Sequence, residues 1–207
     1  MSSPKRKKVA RRSREYLQPE EVRRLLAAAL DNGHHAHRNH TLILLCYRHA
    51  LRVGELTALR WRMIDFERKV IRVKRMMNGI HSVQPLRREE LVALRKLKRD
   101  YPGHSHLFIS RLGTQISEKT VNRVVTSAGR KAKLRVNVTP QMLRRSCGRA
   151  LAEAGHSMVA VQHYMGHRNI RHTVRYFELP DKPFKGFWKD TGTQRRQRSP
   201  RALASAA

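Results

Sequence analysis

The chain is short of acid. Its 207 residues hold 15 Asp and Glu against 45 Lys and Arg, a formal charge of +30. A globular protein this one-sided repels itself unless it meets a polyanion. Nucleic acid is the natural partner, bound more weakly as salt rises; an anionic membrane surface is the other polyanion available. Long apolar runs are also lacking. Leu42-Ile43-Leu44-Leu45-Cys46-Tyr47 is the longest, far below the about 20 residues that cross a bilayer, so no membrane role is expected. The opening residues, Met1 to Lys8, have no apolar signal core behind them; the expectation is a cytoplasmic, nucleoid-associated protein. Cysteine is scarce as well. Cys46 and Cys147 make neither a disulfide framework nor a zinc pattern, and both sit in apolar-periodic segments as small core residues. The run His34-His35-Ala36-His37 has no cysteine or acidic residue spaced to complete a metal site, and reads as a solvated loop. There is no internal repeat and no low-complexity linker.

What is present is enough apolar material for a core: 40% of residues are hydrophobic. Residues 1–14 read as a basic flexible arm, 15–190 as a single domain, and 191–207 as a basic flexible tail. Within the body, Pro19 suits a first helical turn and Val22, Leu25, Leu26 and Leu30 share a face. Asn39 to Leu51 reads as a buried helix, and Glu55 to Trp61 as a helix with Leu56 and Leu59 inward. Val70 to Lys74 changes to strand period, Asn78-Gly79 is a hairpin turn signal, and Ile80 to Leu86 returns as the partner strand. Further helices follow over Glu89–Tyr101, after the cap Ser117, from Thr139-Pro140 to Gly155, and over Ser157–Met165, with a last segment from Ile170 to Phe177. The fold class expected is mainly α with a small antiparallel β-sheet.

Four features carry chemistry. Arg52 precedes a helix start, where a guanidinium can meet a phosphate near the positive end of the dipole. Gln141 and Arg144 lie three apart on one helix and share a face. His167 follows Gly166, a helix stop that places it in a tight turn. Tyr176 stands beside Phe177. Taken singly, each has a plain structural reading: a surface arginine, a basic amphipathic helix, an ordinary histidine, a core tyrosine. Lys74 and Arg75 on the strand, and Arg130, Lys131 and Lys133 on the basic helix end, are expected to grip DNA phosphates.

The order of Arg52, Arg144, His167 and Tyr176, in the stretches LRVGEL (51–56), TPQMLRRSCG (139–148) and YMGHRNIRHTVRYF (164–177), resembles the tyrosine recombinase family of phage-integrase type. The short bacterial fimbrial phase-switch recombinases are the subgroup it resembles most. The resemblance implies that family's catalytic-domain fold and site-specific recombination. Tyr176 would attack the scissile phosphate to leave a 3′-phosphotyrosyl link, with no metal, no ATP and no other cofactor. Arg52, Arg144 and His167 would hold the nonbridging oxygens. It implies double-stranded DNA with inverted-repeat sites, a homo-tetramer on that DNA, and inversion of a segment controlling fimbrial or other surface genes. The apolar stretch with Phe184, Phe187 and Trp188 has two places to go, the core or a neighbouring protomer, and the resemblance favours the protomer. Three positions depart from the pattern, the least costly being Arg145 in place of the histidine that commonly follows the arginine. Gln141 stands where the family has a histidine or lysine, and by turn register Asn78 occupies the position of its hairpin lysine, the general acid. These departures motivate an alternative: a recombinase-derived DNA-binding protein with little or no catalysis. A basic RNA- or ribosome-associated protein would account for the charge but not for the ordered motif.

Overall fold

The computed structural model describes residues 14–31 and 33–177. The expectations for the arm at residues 1–13, for the tail and for Phe184, Phe187 and Trp188 lie outside the described residues. Among the described residues, no helix is long and apolar enough to cross a membrane.

The first helix, α1 (Pro19–Leu30), opens where Glu21 accepts from the backbone N–H of Gln18 at 2.8 Å, and it buries Val22, Leu25 and Ala29. Helix α2 (Ala36–Arg48) is the centre of the molecule. Thr41 to Cys46 are buried on every side of it, because α1 and the helices Val53–Thr57, Arg88–Asp100, Glu118–Lys131 and Pro140–Glu153 all pack against it. That enclosure explains its continuous apolar run without invoking a membrane. Each leucine so buried contributes about 1.5–3 kcal/mol. The chain leaves α2 through Ala50, a non-glycine residue at φ +49°. It then enters the short α3 (Val53–Thr57), with Arg52 as the residue before its first turn. The expected helix to Trp61 is therefore cut short; Trp61–Met63 is a separate 3-10 turn.

Three strands follow: β1 (Ile64–Asp65), β2 (Val70–Val73) and β3 (Ser82–Pro85), antiparallel in the order β1-β2-β3. Ile71 stands opposite Gln84 and Val73 opposite Ser82. The two-residue β1 was not legible in the sequence. The hairpin tip also differs from expectation. Met77 and Asn78, not Asn78 and Gly79, are the left-handed pair, each at φ +55°, and the turn closes by Gly79 N–H to Met76 O at 3.2 Å. Gly79 is still required: a Cβ there would lie 2.8 Å from both Arg75 Cβ and Gly166 O.

Helix α4 (Arg88–Asp100) buries Leu91, Leu94 and Leu97. Helix α5 (Glu118–Lys131) is capped by Ser117, and α6 (Pro140–Glu153) by Thr139, each accepting a backbone N–H three residues on. Helix α7 (Met158–Met165) ends at Gly166 in the left-handed region, φ +69°. The short α8 (Arg171–Val174) then delivers Tyr176. The large core runs from Leu17 to Leu143. A second, smaller cluster gathers Ala50, Cys147, Val161, Met165 and Tyr176. Cys46 and Cys147 are free, buried thiols, as read from the sequence.

Candidate active site

Arg52, Gln141, Arg144, His167 and Tyr176 come from four separate segments, and the fold brings all five to one pocket of about 980 Å³. The arrangement rests on Glu55, one turn into α3 and 3% exposed. Its Oε2 accepts from the backbone N–H of Arg52 at 3.0 Å and from Arg75 Nη1 at 2.9 Å. Its Oε1 accepts from Arg52 Nη1 at 2.8 Å and from the backbone N–H of Met76 at 3.1 Å. Arg144 Nη1 lies 3.9 Å from the same carboxylate. Burial alone would raise the Glu55 pKa; the charge of Arg75 and the hydrogen bonds from Arg52 and Met76 outweigh it and hold the carboxyl below its ordinary value. One carboxylate thus orients the Arg52 guanidinium, anchors the base of the hairpin tip, and lies close to Arg144.

Arg144 projects from α6 and is 2% exposed. It donates to Ala50 O, and to Met165 O at 2.7 Å. The left-handed turn at Ala50 supplies an acceptor that Arg144 on α6 shares with Arg75, just after β2. Burial, then the charges of Arg52 and Arg75, lower the Arg144 pKa to about 10, so the group stays cationic at neutral pH. Two guanidiniums, Arg52 and Arg144, therefore edge the pocket with donors that carbonyls and Glu55 have already oriented.

Arg75 corrects an expectation. Its side chain is fully enclosed and cannot grip DNA phosphate from there. It donates to Ala50 O and His49 O at 3.0 Å each and to Tyr164 O at 2.6 Å, besides Glu55. Its stem packs so closely on Gly166 that a Cβ there would sit 2.5 Å from Arg75 Cγ. Arg75 is a strut between β2, the Ala50 turn and the end of α7. The strand period signals the inward face but not these partners: Arg75 is in step with buried Ile71 and Val73. Lys74 is exposed, as are Arg130, Lys131 and Lys133. None of these four lines the pocket, and Lys131 Nζ is engaged with Asp31 O at 2.9 Å.

His167 is held by its turn. Its backbone N–H donates to Gln162 O at 3.0 Å, and Gln162 Nε2 returns a bond to His167 O at 3.1 Å. Its Nδ1 lies 2.9 Å from the hydroxyl of buried Thr173. Burial, then the charges of Arg144 and Arg52, push the His167 pKa down to about 3, so the ring is neutral at neutral pH. A neutral imidazole whose Nδ1 accepts the Thr173 proton offers Nε2–H as a donor. The ring of Tyr176 stacks beside it, centroids 6.2 Å apart and planes 15° apart.

Tyr176 is 7% exposed and rests on the bare backbone of α6: a Cβ on Gly148 would lie 2.7 Å from its Cε2 and Cζ. Burial raises its pKa against the opposing charges of Arg144, Arg175 and Arg145. Gln141 lies exposed in the first turn of α6. Asn78 is exposed and does not line the pocket; the hairpin residues that do are Met77 and Gly79. Sequence reasoning missed Glu55, Thr173, Gly148 and Met77. Glu55 had a signal, three residues after Arg52 at a helix start; Gly148 had one as a glycine inside a helix.

The chain belongs to the phage integrase family, whose model matches residues 15–182, and is a tyrosine-type site-specific recombinase. It is 37% identical over 194 residues to the type 1 fimbriae regulatory protein FimB of Escherichia coli K12, across 91% of this chain and 96% of that one. It is likewise 37% identical over 182 residues to FimE of the same strain, across 85% and 91%. Among solved structures, the XerA recombinase superposes with a TM-score of 0.71 at 23% identity, covering 83% of this chain and 63% of that one. The chain thus spans about three fifths of that protein, and the likeness concerns the fold.

Proposed function

We propose that this recombinase breaks and rejoins double-stranded DNA through a 3′-phosphotyrosyl link on Tyr176 and inverts a segment that controls fimbrial or other surface genes. The observation that carries the reading is the single pocket holding Arg52, Arg144, His167 and Tyr176. A phosphodiester fits there. Its nonbridging oxygens meet Arg52, Arg144 and the Nε2–H of His167, and Gln141 adds an amide donor. The developing charge is met by groups fixed before the DNA arrives. The bond energy is kept in the phosphotyrosyl ester, so rejoining needs no second energy source. Similarity to FimB and FimE supports a surface-gene switch as the target. The working assembly in this reading is a homo-tetramer on inverted-repeat sites, in the cytoplasm at the nucleoid, with Lys74, Arg130, Lys131 and Lys133 on DNA phosphates.

The test is a nicked suicide duplex carrying the repeats that flank the chain's own gene. Wild type is expected to form a covalent adduct that denaturation does not release, and Tyr176→Phe none. Equal adduct from both proteins would remove Tyr176 from the reaction. Tight binding with no adduct from wild type would instead favour a DNA-binding protein without turnover, the reading that Gln141 and the lysine-free hairpin tip motivate.

A further inference from the structure

Cleavage leaves one chemical need that Arg52, Arg144, His167 and Tyr176 do not meet. When the Tyr176 oxygen bonds to phosphorus and the bond from phosphorus to the 5′-oxygen breaks, that alkoxide must take up a proton. Among the described residues lining the pocket, few can supply one. The amides Gln141 and Gln162 do not exchange protons near neutral pH, and the thioether Met77 has none to give. The guanidiniums of Arg52, Arg144, Arg168 and Arg175 keep theirs. His167 is neutral and tied through Nδ1 to Thr173.

One titratable side chain in the pocket remains unused. His172 lies on α8, exposed to the pocket, with its ring edge-on to His167 at 5.9 Å and 62°. A phosphate held on the Nε2 of His167 would share the pocket with His172, whose ring neighbours that of His167. The next residue, Thr173, is fully buried and bonded to His167, so the two histidines are placed by one short segment. The charged groups around His172 are Arg171 and Arg175 on its own segment, Arg168 on the preceding turn beside the neutral His167, and Arg144 and Arg52 across the pocket; among the described residues no carboxylate lines it.

We propose that His172 is the general acid of this site, taking the part that the hairpin and Gln141 leave open. The inference rests on the recombinase reading above. In cleavage the tyrosine oxygen forms its bond to phosphorus and the phenol proton passes to water. The bond to the 5′-oxygen breaks, and that oxygen takes its proton from the His172 imidazolium, leaving neutral imidazole. In rejoining, the neutral ring takes the proton back as the 5′-hydroxyl attacks and the tyrosine leaves.

Replacing the bridging 5′-oxygen of the scissile phosphate by sulfur tests this, because a thiolate leaves without being protonated. Two nicked duplexes, oxygen and sulfur, are cut in single turnover by wild type and by His172→Gln, with DNA binding measured alongside. The expected result is a fall of about 10²–10⁴-fold on the oxygen duplex and near wild-type cleavage of the sulfur duplex. With oxygen, the wild-type rate should also decline as pH rises and the acid loses its proton, and the variant should lack that decline. If His172→Gln is equally slow on both duplexes, or as fast as wild type on both, His172 is not the acid. If wild type cuts neither duplex, the recombinase reading fails first and takes this inference with it.

Discussion

The core around α2 and the wall around Glu55 are both buried, and they are built on opposite principles. In the core, leucines and valines from five helices surround Leu42 to Cys46. Each contact is nondirectional, and neighbours partly make up for a loss. In the wall, one carboxylate, three arginines and the carbonyls of His49, Ala50, Tyr164 and Met165 satisfy one another through bonds of fixed direction. No neighbour substitutes for a missing member. The core holds the fold, and the wall holds the position of each pocket-facing donor.

The largest expected effects separate these roles. Leu44→Ala should cost about 2–5 kcal/mol of stability through its cavity, while the protein that remains folded cleaves DNA at the wild-type rate. Glu55→Ala leaves the enclosed Arg75 unpaired and should cost about 3–5 kcal/mol. It should also lose cleavage in the folded fraction, because Arg52 loses its anchor. Denaturant titration combined with single-turnover cleavage checks both. If the two variants lose stability alike and keep cleavage alike, the contrast between core and wall is false.

Gly148→Ala is a sharper probe. An alanine inside a helix is better than glycine by about 1 kcal/mol, so a neutral site would gain stability. Here the new methyl meets the ring of the candidate nucleophile at 2.7 Å and Tyr176 must shift. The expected outcome is cleavage reduced by about 10²-fold, the order that misplacing a reacting group costs, with DNA affinity kept and thermal stability within a few degrees of wild type. Unchanged cleavage would mean that Tyr176 attacks from a position other than the one seen.

The same contrast explains what could be read from the chain. Core helices announce themselves by period: Leu91, Leu94 and Leu97 mark α4, and Ser117 and Thr139 mark the starts of α5 and α6. The pocket's members Arg52, Arg144, His167 and Tyr176 were legible through an ordered motif. Their supports were not. Arg75 looked like one more cation in a chain of 45 Lys and Arg, and only the turn at Ala50 and the end of α7 reveal that carbonyls enclose it. Met77 replaced Asn78 at the pocket because the hairpin turned one residue earlier than the Asn-Gly signal suggests. The 3-10 turn at Trp61 overrode the expected helix, and β1 is too short to show a period.

Acid should reveal the wall by a smaller effect. His167 has a folded pKa near 3 against an ordinary 6.5. The unfolded chain therefore binds more protons between those values, and stability falls as pH drops from about 6.5 toward about 3. Glu55 acts in the same direction lower down: its depressed carboxyl contributes stability that is complete above the ordinary 4.5 and lost as pH falls through the lower folded value. The two windows overlap only where the lower end of the histidine window meets the upper end of the carboxyl window. His167→Gln should flatten the dependence of the unfolding midpoint on pH between about 6.5 and 4.5, leaving the Glu55 limb below it. An unchanged slope there would mean that some other buried histidine carries the acid sensitivity, the half-enclosed His40 being the next to replace, since its pKa is also lowered by burial.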